Sequence, residues 1–174
     1  MRRILRKAAV VVSALTVPAG TVYAVTDGSG DPAAVKSDDG KWADKDGNPT
    51  FKIEDDGTVG WYTYVGYLRY SSECMHCHGP DGMGSSYAPA LIHSLQRLTY
   101  AEFFATVAGG KKDVSASQNL VMPAEGINKN VMCFIDDIYT YLRARSDGAI
   151  GRGRPEKHAP KPVSYEKAED ECMG

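Results

Sequence analysis

The chain has 174 residues, 43% hydrophobic and 24% charged, a composition that fits one globular domain and excludes wholesale disorder or a second full-sized domain. A formal net charge of −2 gives no global attraction to nucleic acid or to an anionic membrane surface. Eighteen glycines and nine prolines predict much loop relative to regular structure.

At the N-terminus, Arg2, Arg3, Arg6 and Lys7 precede an apolar run from Ala8 to Val17, and Val22-Tyr23-Ala24 offers a cleavage site. This is the form of a secretory signal peptide over residues 1–24, its apolar run too short to cross a bilayer core of about 30 Å. Cleavage after Ala24 leaves 150 residues, and the loss of four basic and no acidic groups takes the net charge to −6. The expected location is the periplasm, where disulfides persist, with no membrane span after cleavage.

Residues 25–60 read as a flexible lead-in and a small hairpin. Asp, Gly, Ser and Ala dominate to about residue 40. Phe51, Ile53, Val59 and Trp61 then flank Asp56-Gly57, a dipeptide that favours a tight turn. Asp44, Asp46 and Asn48 resemble the start of a calcium loop, but Pro49 stands where such a loop needs glycine, and they are read as turn residues.

Three helices are predicted within residues 61–148. The first covers about 62–72. The second covers 100–107, opened by a capping box of Thr99 and Glu102 and closed by Gly109-Gly110. The third covers 131–145, with Val131, Phe134, Ile138, Tyr141 and Leu142 on one face and Arg143 and Arg145 in the last turn. Residues 149–174, rich in Pro and Lys and without period, are expected to form an extended surface tail.

The four cysteines allow either two disulfides or a cofactor site plus one disulfide. Cys74-Met75-His76-Cys77-His78 favours the second. Two thiols at this spacing can both add to the vinyl groups of one haem, and the following histidine then lies under the iron. A redox C-x-x-C does not need the trailing histidine. A zinc site needs a second ligand pair at similar spacing, and Cys133 and Cys172 stand far apart. The expected cofactor is one covalently attached haem c, with His78 on the iron.

Candidates for the sixth ligand are Met83, Met122, Met132, His93 and His158. Met83 is too near His78 to reach the opposite face of the ring. Met132 falls on the third helix beside apolar residues, His93 is expected to face solvent or the propionates, and His158 lies on the tail. Met122, before Pro123 in a loop preceding the last helix, has enough chain to wrap the haem edge and a proline to stiffen it. The expected metal ligands are therefore His78 and Met122, and such a pair raises the reduction potential relative to bis-histidine ligation.

Taken with these residues, the chain resembles the class I cytochromes c. Gly66 and Tyr70, eight and four residues before Cys74, match the family's glycine and aromatic on the N-terminal helix; Ile138, Tyr141 and Leu142 match its C-terminal helix. Gly79, Gly82 and Gly84 resemble the glycine-rich turn after the haem histidine. Pro89 and Leu91 resemble the Pro-x-Leu whose proline carbonyl accepts the histidine's ring N–H, with Ala88 where the family has glycine. The implied fold is all-α, helices wrapped around one haem, with an N-terminal hairpin or loop extension and an extended C-terminal tail.

A closer resemblance runs from about residue 42 to 162, through CHGPDGMGSSYAPAL at 77–91, NVMCFIDDIYTYLRARSDG at 130–148 and RGRP at 152–155. These stretches look like the four-cysteine, methanol-metabolism-related c-type cytochromes. That resemblance implies electrons accepted from a PQQ-dependent methanol or alcohol dehydrogenase and passed to a downstream cytochrome c or oxidase. It also implies that Cys133 and Cys172 are the family's extra pair; as a disulfide, they would contribute about 3–4 kcal/mol by the chain-entropy estimate. The expectation is a one-electron carrier, not an enzyme. The competing reading is a haem enzyme or gas sensor with an open sixth position.

Overall fold

The computed structural model describes residues 33–115 and 119–174; the expected signal peptide, residues 1–24, lies outside them. Three short strands open the described chain: β1 (Lys36–Asp38), β2 (Lys41–Ala43) and β3 (Pro49–Thr50), paired antiparallel in that order. Part of the expected lead-in is thus a strand. The turn before β3 is built by Asp44, whose Oδ1 accepts from the amides of Asp46 and Asn48 and whose Oδ2 accepts from Asn48 Nδ2. These bonds make an Asx-type turn, as read from the sequence.

The Asp56-Gly57 turn forms, with Gly57 at φ +83° and Ile53 bridging Val59, but Trp61 belongs to the next helix. Val59 also bridges His158 of the tail, so the hairpin gains the packing partner that an isolated one lacks.

Helix α1 (Trp61–Glu73) buries Thr63, Tyr64, Val65, Gly66 and Tyr70 and ends at Cys74. A single turn α2 (Met75–His78), a 3₁₀ turn (Pro80–Gly82) and α3 (Leu91–Ser94) carry the haem motif and the chain beyond it. Helix α4 (Tyr100–Gly109) starts with the predicted capping box, both of whose bonds are present, and ends at Gly110. An antiparallel hairpin follows, β4 (Lys111–Val114) with β5 (Asn119–Met122). The expected third helix is divided: α5 (Lys129–Met132) breaks at Cys133 and Phe134, and α6 (Ile135–Ser146) continues. The fold is helical in the main, with two small sheets that an all-α reading omits.

The core lies where α1 crosses α6. A Cβ at Gly66 would sit 1.9 Å from the Asp137 carbonyl oxygen and 2.8 Å from Tyr141 Cβ, so only glycine permits this backbone approach. Tyr70, Ile138, Tyr139, Tyr141 and Leu142 pack into one cluster with Leu95, Phe103 and Val131.

The tail departs from expectation. Its first part is an extended strap, but Val163–Met173 is a helix, α7. Tyr165, Glu169, Cys172 and Met173 share one face at i, i+4, i+7 and i+8, a period hidden by the scarcity of large apolar residues. Tyr165 packs with Val65 and Phe134, and Cys172 is disulfide-bonded to Cys133, 39 positions away.

Under α7, the Tyr165 hydroxyl donates to Asp137 at 2.7 Å. Burial, reinforced by the neighbouring Asp136 charge, pushes the Asp137 carboxyl up to about 7, against the Tyr165 bond and the cations Lys41 and Arg69. The folded protein therefore retains a proton that the unfolded chain releases near pH 4. Stability is predicted to fall as pH rises from about 4 to 7 and to level off above that window. Asp137→Asn should flatten this stretch of the profile in denaturant titrations across pH; an unchanged slope in the variant would remove Asp137 as its source.

Candidate functional site

The site begins where α1 delivers Cys74 to the edge of the core. Cys74 is partly buried against the main cluster, Cys77 is exposed, and both are free of disulfides. Burial pushes the Cys74 thiol up to about 12. A thiol so reluctant to ionise is a poor redox nucleophile or zinc thiolate.

His78 is buried, with Nδ1 3.1 Å from the Pro89 carbonyl oxygen. Donation from Nδ1–H to that carbonyl fixes the ring and leaves Nε2 for a metal. Burial holds the imidazole below its ordinary range, against the pull of the Pro89 bond, which keeps it in the neutral form that ligates. The sequence-predicted pairing of His78 with Pro89 is thus present, with Ala88 in place of glycine.

The loop that returns from His78 to Pro89 is tied down by α1. The Tyr70 hydroxyl donates to the Gly79 carbonyl and accepts from the Gly82 amide at 3.0 Å. The Gly84 amide donates to the His78 carbonyl at 2.7 Å. Tyr70 and Tyr141 rings meet at 5.5 Å, so the helix crossing, the loop and the histidine form one connected unit.

Met122 approaches from the other side of the chain. In the β4–β5 pair, Leu120 and Met122 share the less exposed face while Val121 points outward, and Met122 packs against the same cluster as Cys74 and Leu91. The loop behind it is fastened to α4: the Glu125 and Gly126 amides donate to the Val107 and Ala108 carbonyls. Gly110, at φ +72°, makes that closure possible, since a Cβ there would meet the Met122 carbonyl oxygen at 2.7 Å. This hairpin was missed from sequence, where Met122 is expected in a loop; Leu120-Val121-Met122 is a continuous apolar run, and only the structure shows its alternating burial.

Of the other sixth-ligand candidates, Met83, His93 and His158 lie away from this cluster. Met83 and His93 are exposed, and His158 stacks on Tyr64 with ring centroids 3.8 Å apart. Met132, in α5, packs on the same cluster as Met122; Met122 is set apart from it by its place at the end of β5, just before Pro123. A surface groove of about 250 Å³ lies beside Trp42, Val59, Trp61 and Pro160 and contains none of the motif's side chains.

No protein-family model matches the chain. Cytochrome c-553I of Paracoccus denitrificans is 51% identical over 136 residues, 78% of this chain and 60% of the relative. The chain therefore spans less than two thirds of that protein. Cytochrome c-555 of Methylococcus capsulatus is 38% identical over 96 residues, 55% of this chain and 72% of the relative. The chain belongs to the c-type cytochromes.

The crystal structure of the c-type cytochrome XoxG from Methylobacterium extorquens AM1 superposes with a TM-score of 0.75 at 56% identity, over 81% of this chain and 86% of that one. As a c-type cytochrome the protein carries covalently bound haem c. The residues present fit that group: two free thiols, a neutral oriented imidazole and a half-buried apolar rim of Tyr67, Leu91, Tyr100 and Met122 lie around one core.

Tyr70→Phe keeps the ring and removes the hydroxyl, leaving the Gly79 carbonyl and the Gly82 amide without it. A loss of about 1–3 kcal/mol is predicted in chemical denaturation of the haem-loaded protein; no loss would mean that water replaces the hydroxyl.

Proposed function

We propose that the protein is a periplasmic one-electron carrier in which Cys74 and Cys77 attach the haem, His78 is the proximal ligand and Met122 the distal one. The observation that carries this reading is the His78–Pro89 bond beside two free thiols, with Met122 packed on the same cluster as Cys74. When bound, the haem supplies a one-electron ferric–ferrous couple. The protein's part is to hold that couple rigidly and exclude other chemistry.

Pro89 keeps the imidazole in one orientation, Tyr70 and Gly84 hold the loop on which it stands, and the fastened Met122 loop closes the remaining position. A site closed from both sides favours electron transfer over binding of small molecules, and none of the residues so placed is poised as a nucleophile or general base.

In the segment that carries Cys77, Met75, Met83 and Tyr87 are also exposed, Tyr87 at 72%. A small apolar rim beside a tetrapyrrole edge suits brief contacts at the low end of interface sizes. The stretches at 77–91, 130–148 and 152–155, which resemble the methanol-metabolism-related cytochromes, support a dehydrogenase-linked carrier. The donor is a PQQ-dependent methanol or alcohol dehydrogenase, the acceptor a downstream cytochrome c or oxidase, and residues 1–24 direct export.

Stopped-flow mixing of the oxidised, haem-loaded protein with a substrate-reduced quinoprotein alcohol dehydrogenase is expected to show second-order haem reduction. Met122→Ala should lower the reduction potential and slow this step. A protein reduced by dithionite but never by the dehydrogenase would overturn the donor assignment; an unchanged potential in the variant would overturn the ligand assignment.

A further inference from the structure

Asp81 stands three residues beyond His78, in the turn that folds the loop back onto the haem motif. Its backbone is in the left-handed region, φ +59°, which Asp and Asn tolerate better than other side chains. Its carboxylate is buried and gripped by the C-terminal strap. Arg152 Nε donates to Oδ2 at 3.0 Å, the Gly153 amide donates to Oδ1 at 2.9 Å, and Arg145 Nε reaches the Asp81 backbone carbonyl at 3.4 Å. Burial pushes the carboxyl up, but the Gly153 amide, Arg152 and Arg145 outweigh it and hold the group below its ordinary range, as an anion.

The two charges are unequally screened. The Asp81 side chain is 9% exposed and that of Arg152 65%, so water weakens the cation's field more than the anion's. Burial raises the Tyr70 and Tyr141 phenols, and the Asp81 anion lies near enough to both to add to that rise. It is not among the residues that hold the haem, yet it lies in the loop that presents the histidine.

We propose that the Asp81–Arg152 pair is a positioning and electrostatic element of the haem site: it clasps the His78 loop, and the balance of its two charges sets part of the reduction potential. This inference rests on His78 being the proximal ligand. Ferric haem carries one more positive charge than ferrous haem, so a fixed anion nearby favours the oxidised form and a fixed cation the reduced form. The strap supplies the cation and is pinned at its far end by the Cys133–Cys172 disulfide. The C-terminal extension thereby reaches from α5 to the proximal loop and contributes charge there.

Potentiometric titration of the haem-loaded Asp81→Asn, Arg152→Ala and double variants tests this. Asp81→Asn keeps a residue suited to the left-handed backbone and an acceptor for the Gly153 amide, and should raise the potential. Arg152→Ala leaves the carboxylate less compensated and should lower it, with the double variant returning towards wild type. A clasp that acts only by holding the loop shut would move both single variants in the same direction, and shifts of equal sign, or none, overturn the proposal. If Asp81→Asn fails to load haem, the exposed Arg152 position decides alone: a fall supports the proposal, and no change or a rise refutes it. His78→Ala is scored separately by the axial-ligand spectrum; an unchanged spectrum there refutes the ligand assignment, whereas absent shifts with a normal wild-type spectrum refute only the clasp.

Discussion

The backbone contact between α1 and α6, where the Cα of Gly66 faces the Asp137 carbonyl with no room for a side chain, sets the position of almost everything else. It brings the two helices together closely enough for Tyr70 and Tyr141 to meet, and so fixes where α1 ends and Cys74 begins. Tyr70 then extends the constraint by hydrogen bonding into the loop that follows His78. A helix crossing thus sets the geometry of the C-x-x-C-H motif and the loop after it through one hydroxyl and a few backbone amides. Because the interior is close-packed, a shift at the crossing would be passed on to the histidine without much relaxation.

The C-terminal extension reads as a second layer laid over that crossing. It grips Asp81 through Gly153 in its first part, runs beside α1 through the Val59–His158 bridge and the Arg154–Tyr64 contact, and ends as α7 with Tyr165 on Asp137 and Cys172 on Cys133. Its effect is to bury one face of α1 and the first turn of α6, at the cost of enclosing a carboxyl group. The chain meets that cost by raising the Asp137 carboxyl to about 7, so that the buried group holds its proton at mildly acidic pH. Extension and loop meet at Asp81 through Arg152 and Gly153, so the outer layer is joined to the segment that follows His78.

What was legible in the sequence was the part governed by local rules. Cys74, Cys77 and His78 stand out by spacing, the α4 start by its capping box, and Pro89 and Gly66 by resemblance; the capping box, the His78–Pro89 contact and the close crossing at Gly66 are all present. The Cys133–Cys172 pairing also followed from resemblance and is present. What was not legible depends on long-range partners. The α7 helix has too few apolar residues to announce itself and is held by a disulfide and by Asp137. The β4–β5 hairpin is a pair of four-residue strands whose significance lies in Met122 being turned inward. Asp81 looked like part of a glycine-rich turn because nothing local reveals that Arg152, 71 positions on, would reach it. The break at Cys133 and Phe134, within one continuous apolar period, falls where the disulfide and Arg69 over the Phe134 ring redirect the chain.

The central claim is that both axial positions are filled by the protein, making the site a carrier and not a reactive or sensing haem. Exposure of the dithionite-reduced, haem-loaded protein to carbon monoxide at neutral pH tests it directly. The account predicts a visible spectrum that does not change, together with a one-electron Nernstian titration in the absence of the gas. Prompt formation of a carbon monoxide spectrum at modest gas concentration would contradict it, because a position that admits the gas is not held by Met122.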